Sequence, residues 1–285
     1  MAEHSKHTVP TKVPSQRIQE YAVGLFEPIS TKSALKKALK KKQLTVDGLP
    51  ARTATLIRGG EVICFYPKTS IAKKHKEIDL KLKVLFEDDY LAAVEKPAGI
   101  LVSGNSFKTV ANALKNNLEN GQNAQPVHRL DYPTTGVLLI GKTASSIRAL
   151  NKLFADKKVS KTYYAVTIGS ALNTQGHLLS PVDGKEAQSD YQVETSVKSE
   201  RFKQLNLVKL SPQTGRKHQL RVQLSQAGSS ILGDPQYSPD QLTLKGKGMY
   251  LHAHSIEFIH PFTGEKLNLK APLPQRFTKL FPAYS

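Results

Sequence analysis

Three short stretches of this 285-residue chain hold the residue types that could do chemistry. The first is His128-Arg129-Leu130-Asp131, followed by Tyr132-Pro133-Thr134-Thr135-Gly136 and an apolar run. A carboxylate on a turn beside an arginine is held in its charged form by the nearby cation. Such an Asp serves as a nucleophile or base, though taken alone the commoner role is a turn residue that pairs with Arg129 for structural reasons. The second stretch is Thr214-Gly215-Arg216-Lys217-His218-Gln219-Leu220-Arg221. On a helix, Lys217 and Arg221 are four apart and His218 and Arg221 three apart, so donors gather near one face. A helix start so rich in donors suits phosphate or carboxylate, and the same pattern fits a solvated basic helix. The third is Lys161-Thr162-Tyr163-Tyr164-Ala165. Adjacent tyrosines on a strand point to opposite faces, so one is free to stack while the other is core.

Other chemistries find less support. His252-Ala253-His254 with His260 has strand-like metal spacing, but no positioned carboxylate or cysteine completes a ligand set, so no metal is expected. Neither common phosphate-binding glycine loop is present, so neither a nucleotide nor any other cofactor is expected. The single cysteine, Cys64, excludes an intrachain disulfide and a multi-cysteine zinc site.

Forty-one Lys and Arg against 23 Asp and Glu give a net charge of +18 and a pI near 9.8. That balance favours a polyanionic partner, most often nucleic acid. The longest apolar runs, such as Val137-Leu138-Leu139-Ile140, are too short to span a bilayer, and residues 1–16 lack the apolar core of a secretion signal. The expectation is a soluble, cytoplasmic, monomeric protein with no membrane partner.

The elements that must position these residues fall into two parts, as the length suggests. Residues 1–16 are polar without periodicity and read as a flexible tail. Between Ser30 and Lys76 stand 12 Lys and Arg against 2 acids, a net +10 in about a sixth of the chain. There Ser30 reads as the N-cap of a helix over 31–42, with Leu35, Ala38 and Leu39 as a narrow apolar stripe among Lys32, Lys36, Lys37, Lys40 and Lys41. Leu44-Thr45-Val46 reads as a strand, Asp47-Gly48 as a hairpin turn, and a second strand begins at Ala51. After a polar linker at Lys73–Asp79 the texture changes. Strands are expected at 84–86, 90–94, 136–141 and 163–168. Helices are expected on Val110, Leu114 and Leu118, on Ile147, Leu150 and Phe154, and on Leu220, Leu224 and Ala227. Strands and helices mix without a βαβ rhythm, which makes the class α+β.

The ordered set of motifs resembles the RluA family of RNA pseudouridine synthases. It comprises Lys96-Pro97-Ala98-Gly99, His128-Arg129-Leu130-Asp131 with Thr134-x-Gly136, Lys161-x-Tyr163, Thr214-Gly215-Arg216-x-His218-Gln219-Leu220-Arg221, Gly233-Asp234-x-x-Tyr237 and Leu251-His252-Ala253. The resemblance spans residues 83–285, about 70% of the chain. Residues 15–65 resemble an S4-type RNA-binding module. Two positions depart from the pattern: Gln223 stands where His is usual and Thr135 where Ser is common.

The resemblance implies a pseudouridine synthase fold over 80–285, with a mixed, largely antiparallel sheet and flanking helices. A small S4-like module is implied over 17–76. It implies isomerisation of uridine to pseudouridine in structured RNA, with rRNA favoured over tRNA. Asp131 is then the essential carboxylate and Arg221 its ionic partner. Tyr163 stacks on the target base and assists proton removal from C5, and Arg129 fills the gap left by the extruded uridine. Lys36, Lys37, Lys40, Lys41, Arg216 and His218 contact RNA. A non-catalytic RNA-binding or ribosome-assembly factor on the same scaffold is the alternative. A DNA-binding regulator also fits the charge but lacks a helix-turn-helix.

Overall fold

The computed structural model describes residues 5–66, 78–169, 172–239 and 248–284. The chain divides into two compact units, Met1–Lys76 and Glu77–Ser285. Most of the expected linker, residues 73–77, lies outside the described residues.

In the first unit, β1 (Ser5–Thr8), β2 (Gln16–Arg17) and α1 (Ile18–Tyr21) precede α2 (Lys32–Lys40). Strands β3 (Leu44–Val46), β4 (Leu49–Pro50), β5 (Leu56–Ile57) and β6 (Val62–Phe65) follow. One sheet runs β1-β6-β3-β4 and a small second sheet pairs β2 with β5. Its core joins the apolar stripe of α2, Leu35, Ala38 and Leu39, to Ile18, Leu44, Ile57 and Ile63.

Three local expectations need correction here. Residues 5–8, expected within a flexible tail, form β1 and pair with Val62–Phe65, while Val9 is buried. An edge strand pairs through its backbone and needs no apolar periodicity, which is why the polar sequence hid it. The cap of α2 is Thr31 rather than Ser30: its hydroxyl accepts from the Ala34 N–H at 3.1 Å, and Lys42, at φ +55°, lies past the helix end. The second hairpin strand is Leu49–Pro50, because Asp47 and Gly48 both take positive φ in a two-residue turn.

The second unit opens with β7 (Lys83–Glu87), β8 (Leu91–Lys96), the single-turn α3 (Val110–Ala113) and β9 (Gln125–Pro126). Then come β10 (Thr135–Gly141), α4 (Ala144–Ala155), β11 (Ser160–Ile168), β12 (Gln175–Leu178), β13 (Ser189–Ser199) and β14 (Lys203–Pro212). Helix α5 (Gln219–Gln226), β15 (Leu251–Ile259), β16 (Lys266–Lys270) and α6 (Gln275–Thr278) complete it. Its ten-stranded sheet runs β12-β13-β14-β11-β15-β10-β8-β7, with β16 on β15 and β9 on β10. Among the described strand pairings of this sheet only β10 with β15 is parallel. The sheet is mixed and largely antiparallel, and the class is α+β.

Burial explains the unbroken apolar run of β10. Leu138 and Ile140 enter the core beneath α3, and Val137 and Leu139 enter the opposite core with Ile147, Leu150 and Phe154 of α4. A strand covered on both faces reads as continuous rather than alternating. The expected helix on Val110, Leu114 and Leu118 is shorter than its spacing suggested, a single α turn continued as a 3₁₀ turn over Leu114–Asn116.

Candidate active site

Asp131 sits on the turn that leads into β10, at the one parallel junction of the described sheet. Gly136, at φ +116°, pairs there with Ala253, and a Cβ would collide with the Ala253 carbonyl. Only glycine fits that approach. The turn is fastened from below by Lys96, which is fully buried. Its Nζ donates to the carbonyls of Pro97 and Thr134 at 2.8 Å and of Tyr132 at 3.2 Å. An ammonium has three donors, and here three carbonyls meet them. Burial lowers the Lys96 pKa to about 8, while the charge of Asp131 opposes the shift. The Gly99 N–H adds a bond to the Tyr132 carbonyl at 2.9 Å.

Helix α5 brings the cation. The buried Arg221 donates from Nε and Nη2 to Asp234 at 2.7 and 2.9 Å, and from Nη1 to Asp131 Oδ2 at 3.4 Å. Burial works against its charge, but the bonds and charge of Asp234, and then Asp131, outweigh it and raise its pKa. The guanidinium also lies over the Tyr237 ring, 4.9 Å from its centre. On the other oxygen, His218 Nε2 stands 3.7 Å from Asp131 Oδ1, and its Nδ1 shares a 2.9 Å hydrogen bond with the Tyr237 hydroxyl.

These groups open on a cleft of about 1070 Å³, lined among others by Arg129, Asp131, Tyr163, Arg216, His218 and Arg221. Tyr163 follows a bulge in the β11–β15 pairing, the kind of irregularity that re-aims a side chain. Burial raises its pKa, and the charge of Asp131 raises it further. His128 faces inward: burial, with help from Lys161, pushes its pKa down to about 3, and its Nε2 accepts the Leu139 N–H at 2.9 Å.

Comparison with known proteins gives this constellation a family. A family model described as RNA pseudouridylate synthase matches residues 90–226. The ribosomal large subunit pseudouridine synthase C of Rickettsia felis is 33% identical over 298 aligned residues, covering 94% of this chain and 96% of that protein. The chain belongs to the RluA family of RNA pseudouridine synthases. It is an isomerase that acts on uridine in RNA. The ribosomal large subunit pseudouridine synthase D of Xanthomonas campestris is 31% identical, covering 96% of this chain and 91% of its own. The solved structure of human RNA pseudouridylate synthase domain containing 4 has a TM-score of 0.57 and 26% identity, covering 70% of this chain and 92% of its own.

In the synthase, Asp131, Tyr163, Arg221, Arg129, Arg216 and His218 thus share one cleft. Lys36, Lys37 and Lys40 on α2 and Lys41 just past its end are exposed, and the first three line a shallow groove with Lys32. One expectation about the basic stretch is corrected. Helix α5 begins at Gln219, and His218 takes a left-handed turn at φ +57°, so Arg216, Lys217 and His218 sit on a loop instead of a helix face. Gln219 causes this, because its side-chain oxygen accepts from the Arg216 N–H and its amide donates to the Gln188 carbonyl. Arg216 in turn donates from Nε to the Glu186 carbonyl at 3.0 Å. Among the described residues no three His, Cys, Asp or Glu side chains converge to hold a metal. His252 bonds Thr135, and His254 bonds the Ala271 carbonyl.

Asp234, Tyr237 and Lys96 stand in the ordered motifs, yet nothing in their local sequence marks a specific role for them. The signal for Asp234 was its place after Gly233, whose φ of +77° and close approach to the Gly248 carbonyl mark a required turn. Gln223, a departure from the family pattern, is buried; it accepts from the Ser189 hydroxyl and donates to the Leu178, Ser180 and Ala187 carbonyls.

Proposed function

We propose that this synthase isomerises specific uridines of large-subunit ribosomal RNA and that Asp131 is its reactive carboxylate. The observation that carries the reading is the inequality of the two Asp131 oxygens. Oδ2 meets a buried arginine, whereas Oδ1 has only His218 Nε2 at 3.7 Å and no donor inside hydrogen-bond distance among the described residues. Pseudouridine formation breaks the N1–C1′ bond, turns the detached uracil and rejoins it through C5. One carboxylate acting at the ribose suffices, by attack at C1′ or by removal of a ribose proton, because the base is kept. A glycosidase needs a second carboxyl group to protonate a departing one and activate water. Tyr163 stacks on the base and assists removal of the C5 proton. Arg129, exposed at the mouth, fills the gap left in the RNA stack. Extrusion costs about a few kcal/mol, offset by phosphate contacts.

Ribosomal RNA is favoured over tRNA because relatives matched across nearly their whole length are named for the large ribosomal subunit. That substrate places the enzyme in the cytoplasm, and no described helix is long and apolar enough to cross a membrane. The first unit serves as an S4-like RNA-docking module through Lys36, Lys37, Lys40 and Lys41, joined at the cleft by Arg216. The working form in this reading is a monomer.

The test is pseudouridine mapping on unmodified ribosomal RNA and bulk tRNA with wild type and Asp131→Asn. The variant keeps the shape but not the reactivity. It is expected to form no pseudouridine while binding RNA within a few-fold of wild type, since phosphate contacts dominate affinity. Product from the variant would overturn the role of Asp131. Product on tRNA alone would overturn the ribosomal assignment.

A further inference from the structure

We propose that His218, oriented by Tyr237, is a positioning residue for Asp131: as a neutral imidazole it leaves Oδ1 free to react, and as an imidazolium it closes that oxygen off. This rests on the reading of Asp131 as the reactive carboxylate.

The orientation of His218 is built deliberately. Its backbone is left-handed at φ +57°, a conformation that costs a non-glycine residue stability and persists only when surroundings enforce it. Gln219 shapes that turn, and Tyr237, itself clamped, holds the imidazole on it through the bond to Nδ1. The Tyr237 N–H donates to Asp234 Oδ1 at 3.2 Å, and its carbonyl accepts from the Ser225 hydroxyl at 2.6 Å and the Ser230 hydroxyl at 3.2 Å. Its ring lies beneath Arg221 and edge-on to His218, with ring centres 5.7 Å apart. A histidine kept only to touch phosphate needs no such scaffold. This one is 17% exposed and turns Nε2 toward Asp131.

With the Tyr237 hydroxyl donating to Nδ1, the ring proton sits on Nε2 and its dipole faces Oδ1 across 3.7 Å. That gap is too long for a hydrogen bond, so the carboxylate keeps its rotamer without being capped. The charged and titratable groups facing His218 are Asp131, Arg221, Lys217, Asp234 and Tyr237. Burial lowers its pKa, the charge of Asp131 opposes this, and Arg221 and Lys217 add to the lowering, so the ring is neutral near pH 7. When pH falls and the ring gains its second proton, a shift of about 1 Å makes a charge-assisted bond of about 2.8 Å. Both oxygens of Asp131 are then paired with cations, and the acid limb of turnover follows.

The test measures kcat and KM on an RNA substrate from pH 5 to 8 for wild type, His218→Asn and Tyr237→Phe, with thermal unfolding of each. Asn accepts the left-handed backbone and does not titrate. For His218→Asn we expect about a tenfold loss of kcat at neutral pH, as a loosened reacting group predicts, with KM within about twofold and the acid limb removed or displaced. Tyr237→Phe removes one hydroxyl and is expected to lower kcat about three- to tenfold and move the same limb. An acid limb unchanged in both folded variants overturns the proposal, as does a raised KM with kcat intact, which makes His218 an RNA contact. If His218→Asn does not fold, the limb of Tyr237→Phe decides. Turnover by Asp131→Asn would sink the underlying reading and is recognisable separately.

Discussion

Arg221 donates its two short hydrogen bonds to Asp234, at 2.7 and 2.9 Å, and reaches Asp131 only at 3.4 Å. The guanidinium fork is filled by a carboxylate other than Asp131. Asp234 is fully buried, and its Oδ1 also accepts from the Gln236 and Tyr237 N–H groups. Asp234 therefore fixes the cation in place and keeps Arg221 from collapsing onto Asp131 as a tight pair.

Removing that anchor is expected to hurt both stability and turnover. Asp234→Asn removes the charge opposite the buried Arg221 and one of its two short bonds, and breaking a buried pair costs about 3–5 kcal/mol. Arg221→Lys should be nearly as damaging as Arg221→Ala, because a point-charge ammonium does not reproduce two parallel bonds. Urea unfolding and kcat on RNA check both variants. Activity of Arg221→Lys near wild type would mean that position 221 supplies charge alone.

Gly136→Ala is the second prediction. The new methyl meets the Ala253 backbone, and φ +116° is closed to alanine. The parallel junction has to open, which destabilises the fold by about 1–3 kcal/mol from the dihedral strain alone. The junction also carries the Thr135–His252 bond at 2.8 Å and sets the exit direction of the Asp131 turn. Turnover is expected to fall further than stability explains, measured as kcat at a temperature where the variant remains folded.

Much of this was legible in the sequence because the motifs are local. His128 to Gly136 turns directly into β10, and strand alternation puts Tyr163 and Tyr164 of β11 on opposite faces, although each packs against a core instead of one standing free. What escaped depends on distant pairing. Nothing near Asp234 announces that Arg221, 13 residues earlier, will be its partner. The basic stretch Arg216–His218 has helical spacing, yet Gln219 competes for its backbone and starts the helix later. The strand Ser5–Thr8 has no apolar pattern, since an edge strand exposed along most of its length is held by ladder bonds.

Acid is expected to weaken the fold through two histidines held neutral. Burial pushes His128 down to about 3 and His252 to about 4, from an ordinary value of 6.5. Both folded values are depressed, so the unfolded chain takes up protons first as pH drops below about 6.5. The stability they protect is complete above that pH and is lost progressively towards pH 4, at up to about 1.4 kcal/mol per pH unit for each group. Urea midpoints at pH 7, 6, 5 and 4 for wild type and His252→Gln test this. The variant is expected to start less stable, having lost the Thr135 bond, and to decline less steeply. Parallel declines would contradict the assignment.

Three lysines of α2 and Lys41 at its C-terminal end provide the last prediction. Lys36, Lys37, Lys40 and Lys41 are exposed, while Leu35, Ala38 and Leu39 on the other face fill the core of the first unit. Changing all four to Gln keeps a good helix former at each position and leaves the apolar stripe untouched, so the fold is expected to persist. If these lysines meet phosphates, each lost contact lowers the slope of log affinity against log salt by about 0.7 on single strands and about 0.9 on a duplex. Three or four contacts then flatten the slope by roughly 2–4 units. Turnover at saturating RNA is expected to change little, because Asp131, Tyr163 and Arg221 belong to the other unit. Binding isotherms across a salt series, beside single-condition kcat, separate the two effects. An unchanged salt slope would show that the lysines only solvate an exposed helix, and the docking role of the first unit would fall with it.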